Sequence, residues 1–184
     1  MDINDRELLA LTLQAEAGNQ GLDGMMAAGS VIMNRANASG YGNGLRGVIL
    51  KPGQFSAWNS STGYAGGEQG QDMTKMRASD DAYKAADALI AGGYEDVTGG
   101  ATHFYNPDIS QPNWGQKAGG DWKRIGDHVF GFADSNGGLL TSSGGANIMP
   151  MDPTKKPYMM GGDQTYSSNP QAAQQAAQQA QPQQ

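Results

Sequence analysis

Residues 4–18 read Asn-Asp-Arg-Glu-Leu-Leu-Ala-Leu-Thr-Leu-Gln-Ala-Glu-Ala-Gly, and this stretch decides the fold. Asn4 and Glu7 stand at the spacing of a capping box, in which two side chains satisfy orphan amides at the start of a helix. Leu8, Leu9, Leu11 and Leu13 follow and Gly18 supplies a stop, so the spacing predicts a helix ending near Ala17. Its last turn holds a misfit. Glu16 falls three residues after Leu13 and seven after Leu9, which puts a carboxylate on the face the leucines bury. Desolvation disfavours the charged form and raises the pKa toward the range where a carboxyl can hold and deliver a proton near neutrality. Two readings stay open on spacing alone. Glu16 pairs with Arg35 or caps amides before Gly18, or it performs acid chemistry.

Outward from that helix, Asp23 is a candidate N-cap for a second one reaching about Arg35. Met25, Ala28, Gly29 and Ile32 lie at the i, i+3, i+4, i+7 spacing of one buried face. Ala28 and Gly29 leave room for another helix to approach closely. Leu45 to Leu50 reads as a short helix ended by Pro52-Gly53, and residues 56–78 as irregular, polar and glycine-rich. Ser79 is an N-cap with Asp80 and Asp81 in the first turn, Ala82, Ala85, Ala86 and Leu89 form an inward stripe, and Gly92-Gly93 stops the helix. Thr102 to Tyr105 and His128 to Phe130 are strand-like. The expected class is α+β, mostly α, with a small β part.

The chain has 184 residues, 12 basic and 18 acidic side chains and a formal charge of −6, with 28 glycines and no cysteine. Disulfides, zinc ribbons, thiol nucleophiles and iron–sulfur sites are excluded together. An acidic chain without a basic stripe lacks the footprint of a nucleic-acid binder, and no run reaches membrane-spanning length. Composition shifts near Asp134. Residues 1–134 read as the folded domain. Residues 135–184 read as an extended or disordered appendage, first Gly/Ser-rich, then Met/Pro-rich, then Gln/Ala-rich.

Several separated blocks form a pattern: Ala15-Glu16-Ala17-Gly18, Asn34-Arg35, Gln54-Phe55-Ser56, Gly100 to Asn106, Trp114, and Ile125 to Phe130. In this order they resemble the cell wall hydrolase family of the spore-cortex-lytic type, over roughly residues 7–133. The resemblance implies a lysozyme-like fold related to lytic transglycosylases, with the glutamate of the Ala-Glu-Ala block, Glu16, as catalytic acid. It implies cleavage of the β-1,4 bond between N-acetylmuramic acid and N-acetylglucosamine in peptidoglycan, leaving a 1,6-anhydro product. Ordinary glycosidases need a second carboxylate across the bond. Asp108, Asp121 and Asp127 are the candidates, and one of them facing Glu16 would favour hydrolysis by water.

A sugar-binding groove needs flat apolar faces and amide or hydroxyl partners. Gln54 and Ser56 are read as hydrogen-bonding the sugars, Tyr105 and Asn106 as orienting the scissile linkage, and Trp58 or Trp114 as stacking on a ring, against the alternative that such aromatics are core anchors. His103 is placed beside the site and His128 in the structure's support. Neither has metal-ligand spacing, so no metal and no cofactor is expected. Asn34 and Arg35 are read as holding the second helix end against the glycine-rich loop, with Arg35 also placed to tune Glu16.

The start Met1-Asp2-Ile3-Asn4-Asp5-Arg6 has neither the basic beginning nor the apolar core of a secretory signal. The expectation is a protein made in the cytoplasm that reaches the bacterial wall by release or delivery, as a phage lysis protein or virion component. The appendage would dock on a phage structural partner through its methionines and prolines. The alternative is an assembly component that keeps the fold as a peptidoglycan-binding module.

Overall fold

The structure, a computed structural model, describes residues 3–65, 70–110, 112 and 122–132. The proposed appendage and its boundary, with Trp114 and Asp121, lie outside the described residues. Helices α1 (Asp5–Ala17), α2 (Gly21–Asn37), α3 (Gly44–Ile49), α4 (Asn59–Thr62) and α5 (Asp80–Ala91) precede strands β1 (His103–Tyr105), β2 (Lys123–Ile125) and β3 (His128–Gly131). The sheet is antiparallel with β3 in the middle, so the β2–β3 hairpin turns at Gly126 and Asp127 and β1 closes on its far side.

Helix α1 starts as its sequence predicts, with the Asn4 side chain accepting from the Glu7 amide at 2.8 Å. The Glu7 carboxylate reaches across to α5, where the Tyr83 hydroxyl donates to it at 2.6 Å. Leu8, Leu9 and Leu13 are fully buried in the core, where α1 packs on α2 and α5. Helix α5 is capped by Ser79, whose hydroxyl accepts from the Ala82 amide, and ends at Gly92 in the left-handed conformation at φ 71°. The close approach expected of α2 is real. A Cβ at Gly29 would collide with Leu89 Cδ1 of α5 and lie 3.3 Å from Leu13 Cδ2 of α1.

Three local expectations change. Helix α2 begins at Gly21 and not after Asp23, because Gly21 at φ 66° turns the chain out of a 3-10 turn over Gly18–Gln20 directly into the helix. Asp23 sits in its first turn. The stretch after Phe55 is not wholly irregular: a 3-10 turn at Ser56–Trp58 leads into α4, organised around the buried Trp58. Strand β2 was not expected, since Lys-Arg-Ile lacks apolar alternation and is a strand only because β3 supplies its hydrogen-bond partner.

The sheet packs one face on α2. Phe104, Ile125 and Phe130 meet Ala27 and Val31, while His103 and Tyr105, alternating with Phe104, take the other face. Among the described residues no helix is long and apolar enough to cross a membrane.

Candidate active site

Glu16 stands in the last turn of α1. The leucine stripe beneath it is sealed, but Glu16 itself is half-buried. The full desolvation expected from spacing is therefore only partial: the stripe reaches the edge of the core at its last turn, and the carboxylate emerges at that edge.

Arg35, near the end of α2, faces the same place. It is only 8% exposed, and its Nε donates to the Thr102 carbonyl at 2.6 Å while Nη1 donates to Gln54 Oε1 at 2.9 Å. Its guanidinium carbon lies 5.4 Å from the ring centroids of both Tyr41 and Phe55. Burial pulls the Arg35 pKa down to about 10, opposed by Tyr41 and by the charge of Glu16. That attraction acts on both partners, so it works against the desolvation of the Glu16 carboxylate. The hydrogen bonds of Arg35 go to Thr102 and Gln54, and Glu16 acts on it through its charge.

Strand β1 completes the surroundings. His103 Nδ1 lies 3.0 Å from Thr102 Oγ1, and its ring meets Tyr41 edge-on at 5.9 Å. Tyr105 meets Trp122 edge-on at 5.5 Å. Asn106 uses its side-chain oxygen locally, accepting from the Asp108 amide at 2.9 Å and so shaping the turn after β1. Gln54 is half-buried, and both ends of its amide are engaged by the protein: Oε1 by Arg35, and Nε2 as donor to the Tyr41 carbonyl at 2.8 Å. Its geometry is that of a positioning residue holding Arg35 and Tyr41 together. Ser56 is half-buried at the start of the 3-10 turn.

Trp58 is a correction. It is 2% exposed and its indole N–H donates to Thr12 Oγ1 at 2.9 Å, while the Thr12 hydroxyl donates to the Leu8 carbonyl. A ring sealed in the core with its one donor satisfied has no face to offer a sugar.

Of the second-acid candidates, exposed Asp108 is paired with Arg124 at 3.0 Å. Asp127 accepts from Gln20 Nε2 at 2.7 Å. His128 packs edge-on against Phe104 at 5.4 Å and burial lowers its pKa, in keeping with the supporting role expected of it. Among the described residues no group of three or more His, Asp or Glu side chains could hold a metal ion.

The sequence reading overlooked two supports. Tyr41, between Gly40 and Gly42, links Arg35, Gln54 and His103. Asp96 holds the loop before β1. Its Oδ1 accepts from the Thr98 amide and hydroxyl, and its Oδ2 from the Gly100 amide and from Asn34 Nδ2. Burial pushes its pKa up, but the hydrogen bonds outweigh it and hold the carboxyl below the usual range. The Asp-Val-Thr-Gly-Gly run at 96–100 is the local signal for such a turn. Asn34 also donates to the Ala101 carbonyl, so it ties α2 to the loop before β1.

A helical body with a carboxylate at the end of its first helix, beside a small antiparallel sheet, defines a lysozyme-like α+β domain. The chain belongs to the cell wall hydrolase family, whose model matches residues 19–131, a stretch beginning three residues after Glu16. It is 33% identical over 132 residues to the spore cortex-lytic enzyme of Halalkalibacterium halodurans, covering 69% of this chain and 34% of that protein. The chain thus spans about a third of that curated relative's length. Among solved structures it resembles the catalytic domain of the germination-specific lytic transglycosylase SleB from Bacillus anthracis, with a TM-score of 0.55 and 27% identity over 71% of this chain and 95% of that one. The catalytic domain of the Bacillus cereus SleB protein matches with a TM-score of 0.53 and 29% identity, over 69% and 88%.

Proposed function

We propose that this chain cleaves peptidoglycan glycan strands between N-acetylmuramic acid and N-acetylglucosamine, with Glu16 acting first as acid and then as base. The observation that carries this reading is the placement of Glu16, half-buried where the core opens at the end of α1 and within electrostatic reach of Arg35. The neutral carboxyl gives its proton to the glycosidic oxygen as the bond to C1 breaks. The carboxylate then takes the proton of the muramoyl 6-hydroxyl, whose oxygen bonds to C1, and the acid is regenerated with a 1,6-anhydro product. Transglycosylation in place of hydrolysis is supported by the ties on Asp108 and Asp127, one paired with Arg124 and the other gripped by Gln20. The names of the relatives, lytic transglycosylase and spore cortex-lytic enzyme, agree with this reaction.

The test is to incubate wild type and Glu16→Gln with isolated Gram-negative sacculi and identify soluble products by mass spectrometry, with circular dichroism as folding control. Anhydro-muropeptides are expected from wild type, reduced about a hundredfold or more by Glu16→Gln. Reducing-end products would replace transglycosylation by hydrolysis. A folded wild type that releases nothing from any sacculus overturns the reading.

We further propose delivery to the wall as a phage lysis protein or virion component, supported by the Met/Pro-rich and Gln/Ala-rich composition after residue 134. The competing reading is an assembly component using the fold for binding. Removing residues 135–184 separates them: an enzyme keeps cleavage, whereas a docking component loses its partner.

A further inference from the structure

Among the described residues Arg35 is the only buried charged side chain, 8% exposed, and no carboxylate stands within ion-pair distance of it. The better exposed Arg6, Arg46 and Arg124 each pair with an aspartate. Charge taken out of water is ordinarily met by its opposite, because neutral partners return less of the lost hydration. The cation with the most to gain from a carboxylate is the one that lacks it.

Its partners are neutral. Nε donates to the Thr102 carbonyl at 2.6 Å, Nη1 donates to Gln54 Oε1 at 2.9 Å, and the rings of Tyr41 and Phe55 lie 5.4 Å from the guanidinium carbon. Gln54 is itself fixed at its other end, where Nε2 donates to the Tyr41 carbonyl at 2.8 Å. A glutamate at 54 would differ only by an oxygen in place of the amide nitrogen and would supply the missing counter-charge. With a pKa of about 10, Arg35 is protonated at neutral pH. The titratable groups that act on it are Tyr41, from the loop after α2, and Glu16, from α1; His103 of β1 meets the far group, Tyr41, edge-on.

We infer that Gln54 is a positioning residue for the reaction at Glu16: its neutral amide fixes the Arg35 guanidinium and leaves the positive charge uncancelled, so that this charge acts on Glu16. This rests on the function proposed above. Glu16 becomes a carboxylate when its proton passes to the glycosidic oxygen, and the Arg35 charge stabilises that anion more than the neutral acid that precedes it. The gain falls on the chemical step and not on binding of the strand.

The test measures initial rates of the full chain over a range of sacculus concentration for wild type, Gln54→Met and Gln54→Glu, with thermal melts alongside. Gln54→Met keeps the length of the side chain and loses both hydrogen bonds; Gln54→Glu keeps the acceptor for Arg35 and cancels its charge. Gln54→Glu is expected to melt no lower than Gln54→Met and yet to show a kcat about tenfold below it, with KM of both within about twofold of wild type. A role in folding alone predicts the opposite order of kcat, since only Gln54→Glu retains the contact to Arg35. Arg35→Met removes the charge itself, is expected to lose at least as much kcat, and serves if Gln54→Glu does not fold. A wild type that cleaves while folded Gln54→Glu matches or exceeds Gln54→Met, or while folded Arg35→Met keeps the wild-type kcat, overturns the positioning role alone. A folded wild type that releases nothing overturns the proposed function and the positioning role with it.

Discussion

Gln20 and Asp127 grip each other twice across 107 residues of sequence: Gln20 Nε2 donates to Asp127 Oδ2 at 2.7 Å, and Gln20 Oε1 accepts from the Asp127 amide at 2.9 Å. Gln20 ends the short turn that follows α1, and Asp127 sits in the β2–β3 turn. The pair fixes the sheet to the end of the helix that carries Glu16. Gly126 beside it adopts φ 58°, and a Cβ there would stand 2.5 Å from Gln20 Oε1, so the turn is shaped to admit the amide.

Replacing Gln20 by Ala should lower stability by about 1 kcal/mol, the modest figure reflecting solvent at both groups. Cleavage of sacculi should fall further than that loss suggests, because the sheet would shift relative to Glu16. Urea denaturation beside product assays checks this. Equal activity at unchanged stability would mean the double contact positions nothing.

Gly29→Ala inserts a methyl where Leu89 and Leu13 already touch the backbone of α2. Overpacking costs about 1–3 kcal/mol and outweighs the ~1 kcal/mol gained in helix propensity. In a Leu89→Ala background the clash is relieved, so the same substitution should become stabilising. A double-mutant cycle in urea reads the sign reversal.

Asp96→Ala should cost about 2 kcal/mol or more, because four donors lose one charged acceptor. Its folded pKa lies below the ordinary carboxylate value. The stability it contributes is therefore fully present above the unfolded pKa of about 3.9 and is lost as pH falls through the lower folded value. Wild type should lose this stability in that acid range and Asp96→Ala should not, as thermal melts across it would show.

His128 titrates in a separate window. Burial lowers its folded pKa below the 6.5 of an ordinary histidine, so the unfolded chain takes up its proton first. Stability should decline as pH drops from about 6.5 toward the folded pKa. His128→Phe keeps the ring packing against Phe104 and Phe130 and should flatten that slope. An unchanged slope between pH 7 and 5 would assign it to another group.

Helices α1 and α5 were legible because their caps, first-turn acids and stops lie within a few residues of one another. Asn4 and Glu7, or Ser79 and Gly92, need no distant partner to be understood. Glu16 was legible as a misfit for the same reason: helical periodicity alone sets it against Leu9 and Leu13. The degree of its burial was not. That depends on where the core ends, which Arg35, Tyr41 and β1 decide together.

The aromatic residues divide the two levels most clearly. From sequence, Trp58 is as good a sugar platform as any tryptophan, since composition does not say which side of a ring is covered. Tertiary structure buries Trp58 against Thr12 and seats Trp122 on Gly131. The amino-acid sequence by itself determined the helices, their ends and the carboxylate that fits none of their apolar faces, because these follow from backbone hydrogen bonds and side-chain period within a turn or two. Only the folded chain decided what surrounds that carboxylate, because Gln20 with Asp127, Arg35 with Thr102 and Trp122 with Gly131 meet through packing and polar satisfaction that no local pattern encodes.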